Sequence, residues 1–257
     1  MIKAVFFDID GTLVSFRTHE ISRPVMDALY SLKEKGVKLF IASGRHFLIM
    51  DNLGGFPFDG YVCMNGSLIM DQGEIIYSHP MDKDDVAAVI DVAESGQIPC
   101  VLFAEKEIVI NCQNELTDRV ARMIRLPMPE PSSLEPFKSS PVCQFTIFMN
   151  GDVEAERLTP VLKHSVTTRW HPEFTDIVPE NISKAEGVAR IIARYGIGQD
   201  EVMAFGDGGN DVEMIEYAGI GVAMGNAAPD VRKHADYVTS SVDEDGVVAA
   251  FRHFGLL

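Results

Sequence analysis

Strand-like apolar runs alternate with helix-period segments at both ends of this chain but not in its middle, and that interruption limits the folds open to it. At the N-terminal end Ile2 to Phe7 reads as a buried strand. Pro24 to Lys35 then carries Val25, Met26, Leu29 and Leu32 at helical spacing and stops at Gly36. Val37 to Ala42 and Tyr61 to Met64 follow as strands, and Val37 to Ala42 is apolar almost throughout, as a parallel strand covered on both faces should be. Ser67 to Met70 and Glu74 to Tyr77, across Asp71-Gln72-Gly73, read as a hairpin. The alternation returns at Ser183 with a helix to Tyr195, a strand Glu201 to Phe205 and a helix Val212 to Ala218. A strand Ile220 to Ala223, a helix Ala228 to His234 and a last helix near Asp243 to Phe254 complete it.

The middle has a different rhythm. A helix from Lys83 to Ser95 precedes short strands near Cys100 to Ala104 and Glu107 to Asn111, and a helix from Glu115 to Ile124 follows. The prolines of Leu126-Pro127-Met128-Pro129-Glu130-Pro131 exclude regular structure there. A strand Val142 to Met149, a helix Val153 to His164 and strands Ser165 to Trp170 and Phe174 to Val178 close the segment. The expected fold class is therefore α/β: a doubly wound, mostly parallel, Rossmann-like core from residues 1–81 and 183–257, with an inserted α+β domain at 82–182.

Lys and Arg total 22 against 38 Asp and Glu, a formal net charge of −16, which argues against nucleic acid and acidic membrane surfaces as partners. An acidic protein that binds phosphate must supply positive charge locally. Cys63, Cys100, Cys112 and Cys143 are widely spaced in apolar stretches, which suits buried thiols rather than a zinc or redox pair. No segment approaches the ~20 apolar residues that span a bilayer. Asp8 and Asp10 interrupt the N-terminal apolar run before a signal peptide would be complete, so a cytoplasmic protein is expected. There the sequons Asn65-Gly66-Ser67 and Asn181-Ile182-Ser183 would stay unmodified.

Polar clusters fall where the core strands run out. Side chains at i and i+2 of an extended chain project to the same side, which predicts Asp8 and Asp10 in one small volume. Two adjacent carboxylates call for a bound cation or a shifted pKa, and the placement suits an aspartate that attacks phosphorus. Ser43 and Gly44 offer a hydroxyl and bare amides to an anionic oxygen, although a helix cap uses the same residues. Arg45 reads equally as a phosphate clamp or a solvent-facing residue. Ser183-Lys184-Ala185-Glu186 reads as a capping box that puts a cation where the helix dipole opposes it, unless an anion binds there. Gly206-Asp207-Gly208-Gly209-Asn210-Asp211 presents acids that suit a hard cation, with magnesium the natural candidate. In open α/β sheets ligands bind beyond the carboxyl ends of the strands, so these clusters can meet in one crevice. A dinucleotide fingerprint is absent, since Gly206-x-Gly208-x-x lands on Asp211.

In order and spacing these residues resemble the haloacid dehalogenase-like (HAD) superfamily, and within it the Cof-type phosphatases with a large cap between the second and third motifs. Asp8-Ile-Asp10-Gly11-Thr12 matches the first motif, Ser43 the second, Lys184 the third and Gly206 to Asp211 the fourth. The resemblance implies Asp8 as nucleophile and Asp10 as general acid/base. Mg²⁺ would be held by Asp8, the Asp10 backbone carbonyl and Asp207, with Asp211 supporting the metal. Ser43, Gly44, Lys184 and Asn210 would hold the phosphoryl oxygens. The implied reaction is hydrolysis of a small phosphorylated metabolite, a sugar phosphate first, through an aspartyl phosphate. A sugar phosphomutase, or a phosphate-sensing module that uses Asp8 as acceptor, are the competing readings. The insert would act as a lid that excludes water. Phe103, Trp170, His171 and Phe174 would line its inner face or fill its core.

Overall fold

The computed structural model describes residues 1–124 and 127–257, and of Ile124 and Trp170 the backbone alone. The expectations for Leu126 and for the Trp170 side chain lie outside the described residues. By contacts the chain divides into one unit of residues 1–77 and 182–257 and a second of residues 78–181.

In the first unit, β1 (Ala4–Phe7), α1 (Arg23–Glu34), β2 (Lys38–Ala42), β3 (Gly60–Cys63), β4 (Leu68–Asp71) and β5 (Glu74–Ser78) lead to the insert. Ser22 caps α1 by accepting from Val25 N, and Gly36 takes φ +81° just beyond its end. Gln72 and Gly73 both adopt positive φ, the requirement of a tight hairpin turn between β4 and β5.

The insert contains α2 (Lys83–Gly96), β6 (Cys100–Ala104), β7 (Ile108–Ile110), α3 (Glu115–Ile124), β8 (Val142–Ile147), β9 (Ser165–His171) and β10 (Phe174–Pro179). Its strands form a sheet in the order β7-β6-β8-β10-β9 with antiparallel pairing throughout. Val86, Val89, Ile90 and Ala93 of α2 pack on Leu102, Phe145, Ile147 and Ile177 as the core of this unit. The helix expected at Val153 to His164 is present at 151–161 but is not a regular α-helix. A turn of α-helix at Gly151–Val153 widens to π-helix at Glu154–Leu158 and tightens to 3₁₀ at Thr159–Val161. Pro160 has no N–H to donate, so the regular ladder cannot pass through it. Asp85, fully buried, accepts from the backbone N–H groups of Lys163 and His164 instead, at 2.9 and 2.8 Å. At the end of the proline-rich stretch Pro131 makes an isolated bridge to Ile110.

The chain then resumes the first unit with α4 (Lys184–Tyr195), β11 (Val202–Gly206), α5 (Val212–Tyr217), β12 (Ile220–Ala223), α6 (Pro229–Arg232), β13 (Tyr237–Val238) and α7 (Gly246–His253). The last helix begins later than expected, because Asp245 takes φ +54° and separates a 3₁₀ turn at Val242–Glu244 from α7. The sheet order is β13-β12-β11-β1-β2-β3-β4-β5, parallel from β13 to β3, with β4 antiparallel to β3. Alternation along β1 sends Val5 and Phe7 into a core with α1 and α7, and Ala4 and Phe6 into a core with α4 and α5. Phe6 stacks on Phe40 at 4.8 Å and Phe7 on Phe205 at 5.3 Å, one pair per face.

The strand order reverses at β1, which pairs with β2 on one side and β11 on the other, and a crevice opens at such a reversal. Phe7 is in register with both Ile41 and Phe205. Asp8, Ser43 and Asp207 therefore leave three adjacent strands at nearly the same level.

Candidate active site

Asp8 follows the last residue of β1, anchored by its N–H to Phe205 O at 3.0 Å. Its Oδ1 accepts from Lys184 Nζ at 2.6 Å, and the same ammonium donates to Asp211 Oδ1 at 2.6 Å. Lys184 is fully buried as the first residue of α4, behind Ser183, whose hydroxyl accepts from Glu186 N. A lysine in the first turn opposes the dipole, and two carboxylates at contact distance explain why it is tolerated. Asp211 completes the fourth-motif turn with its other oxygen, which accepts from the N–H groups of Asp207 and Gly208, both at 2.9 Å. Gly206 is required there, since a Cβ would lie 2.4 Å from Asp211 Cβ.

Asp8, Asp207 and Asp211 bring carboxylate oxygens within 4.8 Å of one another, the one group of potential metal ligands found among the described residues. Thr12 Oγ1 donates to Asp207 Oδ1 at 3.0 Å, and Asn226 Nδ2 donates to Asp207 Oδ2 at 3.1 Å and to Gly11 O at 2.9 Å. Gly11, at φ +84°, passes so close that a Cβ would sit 2.2 Å from Asp207 Oδ2.

With all three carboxylates ionised, the cluster would hold two negative charges in excess of its one ammonium, in a setting where Asp8 and Asp211 are buried. Burial pushes the Asp8 pKa up to about 8; Lys184 opposes the shift, and Asp211 and Asp207 add to it. Burial and then Asp211 raise Asp207 to about 6, against the Thr12 hydrogen bond and Lys184. Burial lowers the Lys184 pKa, but Asp211 and Asp8 more than offset this and hold it above the ordinary lysine value. These directions compete for one proton, because a raised Lys184 needs an ionised Asp8. The ammonium keeps its proton, as it bonds two carboxylates at 2.6 Å, and burial first, with Asp211 and Asp207 adding to it, makes ionisation of Asp8 unfavourable in the metal-free site. A divalent cation would supply the missing charge, and an all-oxygen donor set suits a hard ion such as Mg²⁺.

Asp10 lies close enough to Asp207 to help raise its pKa, but it is not one of the three grouped acids. The Asp10 carboxylate accepts from Arg45, Oδ1 from Nη2 at 2.7 Å and Oδ2 from Nε at 2.8 Å. The strand ends at Phe7 and the chain turns at once, with the N–H groups of Thr12, Leu13 and Val14 all directed at Ile9 O, so extended-chain projection no longer applies. Ser43 is buried and its hydroxyl accepts from Arg45 N at 3.2 Å, which leaves the O–H free to donate. Gly44 follows it. Asn210, exposed, donates from Nδ2 to Asn65 Oδ1 at 2.9 Å. Sequence reasoning had no role for Thr12, Asn226 and Asn65, and left Arg45 undecided. Asn226 lies just past the end of β12, so the strand-end rule that found Asp207 could have found it too.

The profile of the family described as haloacid dehalogenase-like hydrolase matches residues 5–251. YkrA of Bacillus subtilis (strain 168), whose name gives it provisionally as a phosphatase, is 34% identical over 99% of this chain and 98% of its own. The solved structure of the HAD subclass IIB sugar phosphatase BT4131 superposes with a TM-score of 0.88 at 38% identity, covering 99% of this chain and 100% of that one. A structure from work on a trigonal-bipyramidal intermediate in a phosphoryl-transfer superfamily gives 0.90 at 38% identity, covering both chains in full. The chain belongs to the haloacid dehalogenase-like hydrolases. Its place among them is with the phosphatases of Cof type.

Proposed function

We propose that the protein is a magnesium-dependent phosphatase of small phosphorylated metabolites, sugar phosphates first, that works through an aspartyl phosphate on Asp8. One observation carries the reading: a fully buried lysine joins Asp8 to Asp211 beside Asp207 and leaves two negative charges for a divalent ion to balance. The sugar-phosphate preference draws on the likeness to BT4131.

Asp8, Asp207 and the Asp10 backbone carbonyl would hold the ion, with Asp211 behind them. Bound magnesium would neutralise charge on the phosphoryl oxygens. Asp8 attacks phosphorus as the leaving alkoxide departs, and Lys184, the Ser43 hydroxyl, the Gly44 amide and Asn210 hold the equatorial oxygens. Asp10 gives a proton to the departing oxygen and takes one from the water that cleaves the acyl phosphate. Both Asp10 oxygens accept from Arg45, which orients the carboxyl group. The division into a catalytic core and an inserted cap belongs to the same proposal.

The test is phosphate release across a panel of phosphorylated metabolites, with and without Mg²⁺, by wild type and Asp8→Asn. Release that needs Mg²⁺ and falls at least about 10⁴-fold in the variant is expected, since loss of a nucleophile removes the covalent route. Magnesium-dependent turnover retained by Asp8→Asn contradicts the assignment.

A further inference from the structure

We propose that Asn65 is a positioning residue for the phosphoryl site and acts through Asn210; the inference rests on reading Asn210 as a donor to a phosphoryl oxygen. β3 ends at Cys63, and the next three residues, Met64, Asn65 and Gly66, take φ of +52°, +54° and +107°. Positive φ is unfavourable for a side chain such as Met, so the surroundings must hold this buckle in place.

They do so at the site. Met64 N donates to Arg45 O at 3.2 Å and Asn65 N to Ser43 O at 3.1 Å, which ties the buckle to the turn that carries Ser43 and Gly44. A Cβ on Gly66 would lie 2.3 Å from Ser183 O, so only glycine lets the buckle pass against the residue that caps the Lys184 helix. A Cβ on Gly44 would come within 3.3 Å of Asn65 Nδ2, so the bare turn makes room for the Asn65 amide. From there Asn65 Oδ1 accepts from Asn210 Nδ2 at 2.9 Å. The buckle therefore adjoins the second, third and fourth motifs together.

An amide nitrogen carries two hydrogens. With one directed at Asn65, the other hydrogen of Asn210 has a fixed direction and is available to an anionic oxygen. Asn210 sits exposed on a single 3₁₀ turn, Gly209–Asp211, where its side chain would otherwise sample several rotamers. Asn is also among the residues that best tolerate the left-handed region, which reconciles the backbone and the side-chain requirement at one position.

Asn65→Gly removes the acceptor and keeps a backbone suited to positive φ. The expected result is a melting temperature no lower than wild type, kcat/KM reduced about 10-fold, and inorganic phosphate bound more weakly by a similar factor, the scale typical of an orienting partner. In an Asn210→Ala background, adding Asn65→Gly should change either quantity by less than about 2-fold, because the residues act as one unit. Additive losses in the double variant overturn the inference. So does an Asn65→Gly protein with wild-type kinetics and phosphate affinity, or one whose sole defect is a lower melting temperature. If wild type neither turns over any substrate nor binds phosphate, the phosphatase reading itself fails. If wild type is active and Asn65→Gly matches it, the positioning role alone fails.

Discussion

Both units of the protein bury charge, but they balance it differently. In the insert, Arg169 pairs with one carboxylate, Glu154, through Nε at 2.9 Å and through Nη2. Its remaining N–H groups donate to the carbonyls of Met149, His171, Pro172 and Phe174 at 3.0 to 3.1 Å. Charge and hydrogen-bonding capacity are both satisfied within the protein, and the result is a brace between the irregular helical stretch and the β9–β10 hairpin. At the crevice, Asp8 and Asp211 share one ammonium, and Asp207 beside them is held by the neutral donors Thr12 and Asn226. A buried charge matched one to one is structure, whereas a buried charge left in excess marks a place where something else is meant to bind.

Removing one partner from each cluster sharpens that contrast. Lys184→Met leaves three carboxylates together with no ammonium and is expected to cost about 3–5 kcal/mol in urea unfolding without metal. Saturating Mg²⁺ should recover part of the loss. Glu154→Gln keeps a hydrogen-bond acceptor for Arg169 but removes the ionic component, for a cost of about 1–3 kcal/mol. Magnesium should recover none of it. Equal magnesium responses in the two variants would erase the distinction between brace and site.

The same cluster also predicts a slope against pH. Asp8 and Asp207 are pushed up from 3.8, to about 8 and about 6, so between roughly pH 4 and 8 the folded chain holds protons that the unfolded chain has released. Stability of the metal-free protein from these groups is then full below about pH 4 and lost as pH rises to about 8. Magnesium binds the ionised form, so its stabilising effect should grow over the same window. Urea titrations near pH 5 and pH 8, each with chelator or with Mg²⁺, check this, and a magnesium effect that shrinks with pH contradicts it.

Much of the fold and of the acidic cluster was legible in the sequence, because apolar runs covered on both faces end abruptly in polar residues and parallel register then gathers those ends. Asp8 and the Asp207–Asp211 turn meet for that reason, and Lys184 joins them from the first turn of α4. The Asp10–Arg45 pair was not legible, since it depends on a turn at Ile9 that ends the alternation one residue after β1. Asn65 was hidden as well. Its sequence context is a sequon, and its structural role comes from three positive φ values and from neighbours more than a hundred residues away. In the insert, the period of the segment around Glu154 suggested a helix, and Pro160 together with the demand of buried Asp85 for backbone donors broke it into three shorter turns.

Calorimetric titration of Mg²⁺ into metal-free wild type and Asp207→Asn tests the uncompensated cluster most directly, because it needs no substrate. One ion per chain in wild type, bound at least about 10-fold more weakly in the variant, is the predicted result. No saturable binding in wild type, or equal affinity in both proteins, would contradict the account.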